Sequence, residues 1–157
     1  MAVSLARTSA GTVLSVSAAP PQILNGSSYL VSDFSALSFT AIGELTDLGS
    51  FGKKYNLVSF NPLGDRKTVK RKGSYNNGTL SLKLGSSPTN AGQIILQQAA
   101  DSDSSYCFRV VTQSGSTFYF TAQVMGWMLE VGSVDQIMGA SLDAEIDNDI
   151  LTSILVA

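Results

Sequence analysis

The sequence of 157 residues contains no histidine and only one cysteine, Cys107. Without histidine the chain lacks the commonest general base, the usual imidazole ligand of metals and any Ser-His-Asp triad. With one cysteine it cannot form an internal disulfide. Cys107 stands in the apolar alternation of Tyr106, Phe108 and Val110, so we expect an inert, mostly buried thiol. We therefore expect a protein that is not an enzyme, with no catalytic residue, cofactor or metal.

Charged residues are also scarce. They make up 14 % of the chain, and hydrophobic residues make up 44 %, whereas roughly 25 % of a typical soluble domain is charged. A monomer with so few charges has difficulty covering its apolar surface, and burying part of that surface in an oligomer is the simplest remedy. The net charge of −2 argues against a protein that binds nucleic acid through bulk positive charge.

Long apolar runs are absent as well. No stretch reaches the ~20 apolar residues of a membrane span. The N-terminal segment lacks the uninterrupted apolar run of a signal peptide, because Thr12, Ser15 and Ser17 break it. We expect a soluble protein made in the cytoplasm and not inserted into a membrane. Residues 1–34 are predicted to form a mobile, Ser- and Ala-rich N-terminal arm, and residues 35–157 a single β-domain.

Most of the chain shows the period-two alternation of β-strands, with apolar residues on one face and polar residues on the other. The turn signals Asn77-Gly78 and Ser114-Gly115-Ser116 each predict a hairpin between the strands that flank them. The predicted fold class is therefore mainly β. Predicted strands cover residues 35–44, 55–60, 69–75, 79–84, 105–113, 117–128 and 139–150.

One helix is predicted between these strands. Ser87 is a candidate N-cap, Pro88 fits the first helical position, and residues 89–100 contain no strong breaker. We expect this helix to flank the sheet. Its predicted apolar stripe comprises Ala91, Ile94, Ile95 and Ala99, and its predicted polar side comprises Gln93, Gln97 and Gln98.

The segment 40–84 is long, glycine-punctuated and basic, and no catalytic residues accompany it. Such a stretch in a small domain is typical of a binding segment, and another copy of the chain is the most economical partner. The acidic residues cluster elsewhere, near the C-terminus. The basic and acidic regions either meet between copies or are two separate solvated faces. The basic cluster comprises Arg66, Lys67, Lys70, Arg71 and Lys72.

Several short pieces of the chain follow one another in a characteristic order. The pieces are IGELTDLG at 42–49, FG at 51–52, YN at 55–56, NPLG at 61–64, KGSYNNG at 72–78, AGQ at 91–93, YFTAQV at 119–124 and VGSVD at 131–135. In this order they resemble the tail tube proteins of long-tailed phages with flexible, non-contractile tails. The resemblance covers roughly residues 41–150 and leaves the N-terminal arm unmatched.

The resemblance implies a structural virion protein that forms hexameric rings, which stack into a hollow tube. Each subunit would be a β-sandwich with a barrel-forming sheet, one flanking helix and a long central loop or hairpin. Sheets from six copies would join around the lumen, and double-stranded DNA would pass through it without specific binding. Implied partners are further copies and other tail proteins, such as the tape measure, terminator and tip. The implied location is the virion tail, assembled in the host cytoplasm.

Asp143, Glu145 and Asp147 are candidate lumen-facing residues. They lie on the polar face of the last long predicted strand. On a lumen wall they would repel DNA phosphates, so that the duplex could slide without the attraction that basic surfaces exert. The alternatives are an ordinary solvated strand face and a set of ion pairs between subunits.

A second set of residues is predicted to lie between subunits or rings. In this set, apolar side chains would supply affinity, and the basic cluster would steer register, because exposed ion pairs contribute only about 0–1 kcal/mol each. The alternatives are core packing for the apolar members and a solvated hairpin face for the basic ones. The set comprises Phe51, Tyr55, Leu57, Phe60, Arg66, Lys67, Lys70, Arg71 and Lys72.

Two rival functions remain open at this point. One is a tail terminator or tip protein, which would form a single ring. The other is a monomeric carbohydrate-binding β-sandwich that uses Trp127 and Tyr119 as stacking platforms, although core or interface packing is the more usual role of such a tryptophan.

Overall fold

The computed structural model describes residues 8–18 and 30–153. Strands make up 47 % of these residues, which confirms the predicted mainly β class. The strands are β1 (Val13–Ser17), β2 (Thr40–Ala41), β3 (Leu45–Asp47), β4 (Lys54–Phe60), β5 (Val69–Asn76), β6 (Thr79–Gly85), β7 (Tyr106–Val111), β8 (Thr117–Glu130), β9 (Gly139–Ile146) and β10 (Leu151–Ser153), and the helices are α1 (Val31–Ser35) and α2 (Ala91–Ala100).

Eight of the strands form one antiparallel sheet in the order β2-β1-β7-β8-β9-β6-β3, with β10 paired to the first residues of β8. The other two strands, β4 and β5, pair only with each other and form a separate ribbon. We call this ribbon and its connecting loop, residues 53–76, the β4–β5 hairpin. It is the predicted long central hairpin.

The large sheet curls until its two ends approach each other. Its end strands, β2 and β3, are joined by residues 42–44 alone, a link that reaches at most about 14 Å. A flat sheet of seven strands would hold its end strands about 29 Å apart. The chain bends within this link at Glu44, whose φ is 60°, a value uncommon for residues other than glycine.

The inside of the curled sheet holds the main core. The alternation predicted for β6 and β9 is confirmed, because their apolar faces are buried and their polar faces are exposed or half-buried. Helix α2 adds Leu96 and Ala99 to the same core. The buried strand residues that carry this alternation are Leu80, Leu82, Leu84, Ala140, Leu142, Ala144 and Ile146.

A second, smaller cluster covers the opposite face of the sheet. Phe34 of α1 stacks on Tyr119 of β8, with ring centroids 5.5 Å apart, and Cys107 of β7 is buried beside them. Because α1 packs there, residues 119–122 of β8 are buried in succession. The predicted burial of Cys107 is confirmed.

Helix α2 begins later than its sequence predicts. Its N-cap is Asn90, whose side-chain oxygen accepts a hydrogen bond from the backbone N–H of Gln93 at 3.1 Å. The predicted cap at Ser87 is therefore wrong, and the residues before Asn90 form a turn. Asn90 is favoured because the same oxygen also accepts from the N–H of Gly43 at 3.3 Å, which ties the helix to the link between β2 and β3.

The buried side of α2 also differs from the predicted stripe. Gly92, Gln93, Leu96 and Ala99 are buried, whereas Ala91 and Ile94 are exposed. A side chain at Gly92 would place its Cβ about 2.5 Å from the carbonyl oxygen of Ala41. This close approach of helix to strand turns the Gly92–Gln93 side toward the sheet.

Two predictions about the strands are wrong. Residues 35–44 contain only the two-residue β2, and residue 35 ends α1. The hairpin predicted at Asn77-Gly78 does not form, because β5 pairs with β4, and the two sides of β6 are taken by β9 and β3. Gly78 does adopt a φ of 95°, but its turn directs β5 out of the sheet. The hairpin of β7 and β8 around residues 114–116 is confirmed.

Part of the predicted N-terminal arm belongs to the sheet. Strand β1 pairs with β2 and β7, and its Leu14 and Val16 are fully buried. The rest of the arm before α1 lies largely outside the described residues, and the boundary at residue 34 stays a prediction. No helix within residues 8–18 and 30–153 is long and apolar enough to cross a membrane.

Candidate assembly surfaces

The β4–β5 hairpin projects with almost all its side chains uncovered. Its strands pair from Lys54 opposite Asn76 to Phe60 opposite Val69, with a register shift next to Tyr55. Every residue of β4 is exposed. A two-stranded ribbon is at best marginally stable alone in water. Contact with a further partner would therefore stabilise a hairpin of this kind.

One face of the hairpin is cationic and aromatic. The rings of Tyr55 and Tyr75 lie 5.3 Å apart, centroid to centroid. The Lys72 ammonium lies 4.9 Å from the centroid of the Tyr55 ring, and that of Lys53 lies 4.2 Å from the centroid of Tyr75. These cation–π contacts hold both lysines over the rings, so the face presents positive charge in an ordered array.

The other face of the hairpin carries apolar side chains toward its far end. Val58 pairs with Arg71, and Phe60 pairs with Val69 at the far end of the ribbon. Phe60 is 63 % exposed, and Leu63 in the connecting loop is fully exposed. Large apolar side chains in such an extended position are typical of a contact surface.

The charge of the chain is divided sharply between the hairpin and the rest. Residues 53–76 contain seven of the ten lysines and arginines and only one carboxylate, Asp65, which gives this segment a charge of +6. The remaining residues carry three cations and eleven carboxylates, a charge of −8. The hairpin of one copy and the remainder of another therefore carry charges of opposite sign, which favours contact between them.

Asp149 anchors the base of the hairpin to the sheet. One of its carboxylate oxygens accepts hydrogen bonds from the Tyr75 hydroxyl at 3.1 Å and from Asn77 Nδ2 at 3.4 Å. The carbonyl oxygen of Asn77 accepts from the N–H of Gly52 at 3.3 Å. Both ends of the hairpin are thus fastened where it leaves the sheet, while its strands pair only with each other.

The apolar residues predicted for an interface fall into two groups. Tyr55, Leu57 and Phe60 lie exposed on the hairpin. Phe51 instead lies half-buried against the main core, with its ring centroid 5.8 Å from that of Phe118 and 5.6 Å from that of Phe120. The structure therefore gives Phe51 a packing role within the subunit. The interface role of this set stays a prediction.

The three acidic residues predicted to face the lumen, Asp143, Glu145 and Asp147, also fall into two groups. Asp143 and Glu145 point outward from β9 and accept hydrogen bonds from Ser81 Oγ at 3.0 Å and Thr79 Oγ1 at 2.8 Å on β6. Both carboxylates are exposed. Together they form a carboxylate and hydroxyl surface on the outside of the curled sheet.

Asp147 follows the end of β9 and has a different environment. Its carboxylate accepts hydrogen bonds from the hydroxyls of Thr121 and Ser105, and its N–H donates to the carbonyl oxygen of Thr121 at 3.2 Å. The Thr121 side chain is buried, so Asp147 satisfies a polar group inside the protein. Burial, reinforced by the negative charge of Asp147, raises the pKa of the Cys107 thiol to about 12.

The outer half of β8 is a surface that the sequence did not reveal. Beyond residue 122, β8 extends past the end of β7, and its Met125, Met128 and Leu129 are exposed. The loop that follows adds four exposed apolar residues. The unequal lengths of the two predicted strands, residues 105–113 and 117–128, were a signal for this overhang. The loop residues are Val131, Val134, Ile137 and Met138.

The aromatic residues proposed as sugar platforms are not placed for that role. Trp127 is half-buried against the main core, and Tyr119 is 8 % exposed beneath Phe34. Tyr119 therefore has no open ring face, and Trp127 is partly covered by the core. Among the described residues, no group of three or more Cys, Asp or Glu side chains is arranged to hold a metal ion.

No protein-family model and no curated protein sequence matches this chain. Its fold is similar to a chain in the sheath/tube terminator of the extracellular contractile injection system PVC in the extended state (TM-score 0.69, 9 % identity, 97 % of this chain and 99 % of that chain). It is also similar to a chain in the tail of the empty GTA particle, refined helically with C6 symmetry (0.66, 10 %, 94 % and 99 %). A third similarity is to the SPP1 tail tube (0.60, 10 %, 93 % and 78 %). At these identities the similarities establish a shared fold.

Proposed function

We propose that this chain is a structural subunit of a phage tail tube, which assembles into stacked hexameric rings around a lumen. The observation that carries the proposal is the match of almost the whole chain to chains of a particle tail and of a tail tube. On this proposal the protein belongs to the tail of a virion with a flexible, non-contractile tail, and it is assembled in the host cytoplasm. Its partners are other copies, the tape measure, the terminator and the tip.

The distribution of charge and apolar surface supports self-assembly. A copy offers a hairpin of charge +6 and a body of charge −8, and a contact between unlike parts of two copies is heterologous. Contacts of this kind close into rings or continue into filaments. The exposed Tyr55, Leu57 and Phe60 supply apolar area on the hairpin side of such a contact.

A tail terminator is the second candidate. The similarity to a chain in the PVC sheath/tube terminator supports it, because that chain has the same fold. A terminator and a tube subunit differ in whether rings continue to stack. The two functions are therefore distinguished by the length of the assembly.

Negative-stain electron microscopy over a range of protein concentrations tests the proposal. We expect long hollow tubes with a regular ring repeat. Single rings that never stack would favour the terminator. A protein that stays monomeric at every concentration, with tryptophan fluorescence that responds to a carbohydrate, would contradict both and support the binding module. The buried ring of Tyr119 argues against that last result.

Within the tube, Asp143 and Glu145 are proposed to face the lumen and to keep DNA phosphates from adhering. Asp147 is left out of the test because its hydrogen bonds support the subunit. The double variant Asp143→Lys with Glu145→Lys should form tubes, but particles built with it should lose infectivity. The matched control is Asp101→Lys with Asp103→Lys, which changes two exposed carboxylates at the end of α2. Normal infectivity of the first variant would exclude the sliding role.

A further inference from the structure

The cationic face of the β4–β5 hairpin depends on a bulge in β5. Tyr55 lies opposite Tyr75, whereas Leu57, two residues further along β4, lies opposite Lys72, three residues back along β5. The additional residue on β5 is a β-bulge. Without it, Lys72 and Tyr75 would point to opposite sides of the ribbon, because side chains alternate along a strand. The bulge therefore places both tyrosine rings and the Lys72 ammonium on one face.

The local sequence supports this bulge. A side chain at Gly73 would place its Cβ about 2.9 Å from Cγ2 of Val58 and 3.2 Å from the carbonyl oxygen of Asn56, so glycine fits where the two strands approach most closely. Across the bulge, Asn56 Nδ2 donates a hydrogen bond to Ser74 Oγ at 3.1 Å. The arrangement of the face is thus built by the strands that carry it.

Two further lysines belong to the same face. Lys70 lies opposite Ser59, which shares a side of β4 with Leu57 because the two are alternate residues. At the base of the hairpin, the Lys53 ammonium lies over the Tyr75 ring. We call this set of six exposed residues the lysine–tyrosine face. Its members are Lys53, Tyr55, Leu57, Lys70, Lys72 and Tyr75.

The centre of the lysine–tyrosine face is open and apolar. Tyr55, Leu57 and Tyr75 are all exposed large side chains. A pocket of about 300 Å³ lies on the hairpin, and its lining includes Tyr55, Leu57, Lys70 and Lys72. The face therefore combines flat apolar surface with positive charge, and it matches a ligand that carries flat rings next to negative charges.

Positive charge dominates this face. The one carboxylate of residues 53–76, Asp65, lies in the connecting loop between the strands. At the base, Asp149 accepts a hydrogen bond from the Tyr75 hydroxyl at 3.1 Å, which holds that ring in place. Lys70 and Lys72 are alternate residues of one strand, so they are spaced about 6.8 Å apart along it. The face therefore presents a row of cations beside two fixed rings.

We infer that the lysine–tyrosine face binds single-stranded nucleic acid. Proteins that bind single strands without sequence preference combine cations that follow the phosphates with aromatic rings on which successive bases stack. Stacking of a base is stronger than an exposed cation–π contact. A base therefore replaces the lysine above each tyrosine ring, and the released ammonium remains close enough to contact a phosphate of the same strand.

A single strand matches this face better than a duplex. In a duplex the bases stack on one another and present their edges, which proteins read with hydrogen-bonding side chains in the grooves. The centre of the lysine–tyrosine face consists instead of two phenol rings and a leucine. Single-stranded RNA and DNA share open base faces and phosphates, so both should bind. The charge of −8 outside the hairpin repels phosphates and confines binding to the hairpin.

Fluorescence anisotropy measures the binding. Labelled oligothymidine and oligouridine of about 12 nucleotides, a length within the site sizes of single-strand binding folds, are titrated with dilute, unassembled protein at several salt concentrations. We expect saturable binding with a log–log salt slope of at least about −2, since each of the three lysines contributes about −0.7. Lys72→Gln should reduce this slope by about 0.7. The matched control Lys83→Gln, an exposed lysine on β6, should leave it unchanged.

Ring substitutions separate stacking from charge. Tyr55→Leu should weaken binding at least about fivefold, the loss expected when one stacked base is released, whereas Tyr55→Phe keeps the ring and should bind normally. Phe60→Leu, which removes a ring from the other face of the hairpin, is the control and should also bind normally. Binding that is insensitive to Tyr55→Leu, and for which inorganic polyphosphate competes equally well, would overturn the inference.

Photo-cross-linking locates the ligand on the unmodified protein and does not depend on the folding of a variant. An oligonucleotide that contains 5-iodouracil is irradiated with the protein, and the attached peptides are identified by mass spectrometry. We expect attachment at Tyr55 or Tyr75. Attachment only at Trp127, or at no residue of the hairpin, would overturn the inference. Tighter binding of a duplex of the same length would overturn it as well.

These outcomes are independent of the proposed function, because the binding is measured on unassembled subunits. Tubes that form from a protein unable to bind single strands would overturn the inference and leave the tube function standing. Binding that depends on Tyr55 and Lys72 in a protein that never associates would support the inference and contradict the tube function.

Discussion

The side-chain amide of Gln93 donates a hydrogen bond to the carbonyl oxygen of Gly43, 3.0 Å away. The same nitrogen donates to the carbonyl oxygen of Gly85 at 2.9 Å, and the amide oxygen accepts from the N–H of Ser87 at 2.9 Å. Gly43 lies between β2 and β3, and Gly85 ends β6. One buried glutamine of α2 thus holds together the segments at which the curled sheet closes.

Replacing Gln93 with leucine should lower the free energy of unfolding by about 2–4 kcal/mol, because each buried polar group left unpaired costs about 1–3 kcal/mol. Urea denaturation of the dilute protein measures the change. Gln97→Leu, the same substitution on the exposed side of α2, should stay within about 0.5 kcal/mol. Equal effects of the two variants would mean that the hydrogen bonds of Gln93 contribute little.

Phe51 and Phe60 should respond differently to truncation, although both belong to the predicted interface set. Phe51→Ala should lower the stability of the unassembled subunit by about 2–3 kcal/mol, since its ring packs on Phe118 and Phe120. Phe60→Ala should change that stability by less than about 0.5 kcal/mol and should instead weaken assembly. Denaturation at low concentration and sedimentation velocity at high concentration give the two readouts. A stable, assembly-defective Phe51→Ala would reverse these assignments.

Asp147 should matter more to folding than its neighbour Asp143. Asp147→Ala removes the acceptor of two hydroxyls, one of them the buried Thr121 hydroxyl, and should cost about 1–2 kcal/mol. Asp143→Ala removes an exposed hydrogen bond to Ser81 and should cost less than about 0.5 kcal/mol. Thermal unfolding of the dilute variants measures both. Similar melting temperatures for the two variants would show that the hydrogen bonds of Asp147 do not stabilise the fold.

The Cys107 thiol should be inert in the folded protein. Burial and the charge of Asp147 raise its pKa from 9.0 to about 12, and the thiolate is the reactive form. Labelling by a thiol reagent at pH 8 should therefore proceed only as fast as the protein unfolds, and should become rapid in urea. Fast labelling of native protein would show that the thiol is accessible.

The same raised pKa predicts how stability changes in alkaline solution. Between pH 9 and 12 the unfolded state loses the thiol proton while the folded state keeps it, so the unfolded state is increasingly favoured. The contribution of Cys107 is fully present below pH 9 and declines as the pH rises toward 12. Cys107→Ala should flatten this decline, which pH-dependent denaturation measures. An unchanged alkaline slope in the variant would rule out Cys107 as its source.

The strands of the main core could be predicted because burial and local period coincide there. In β6 and β9 each side chain alternates between the core and solvent, so a pattern of two residues is enough. The hairpin of β7 and β8 could be predicted for a similar reason, since a short polar turn joins neighbouring strands. These features depend on residues close together in the chain.

The pairing of β5 could not be predicted in the same way. The turn signal at Asn77-Gly78 is real, and Gly78 adopts the expected positive φ. Whether the flanking strands pair depends on competition for β6 from β9 and β3, which lie far away in the sequence. Likewise, the buried side of α2 depends on the close approach of Gly92 to Ala41, and the helical pattern alone favoured another stripe.

The candidate surfaces show the same division. The basic cluster and the acidic residues near the C-terminus are evident from composition, and so are the lack of histidine and the presence of one cysteine. Tertiary structure decided that Phe51 packs inward and that Asp147 accepts a hydrogen bond from Thr121. It also decided that residues 123–130 of β8 have a strand neighbour on one side only among the residues that the structure describes. Composition and local period follow from the chain itself, whereas burial and strand pairing depend on which distant segments compete for the same neighbour.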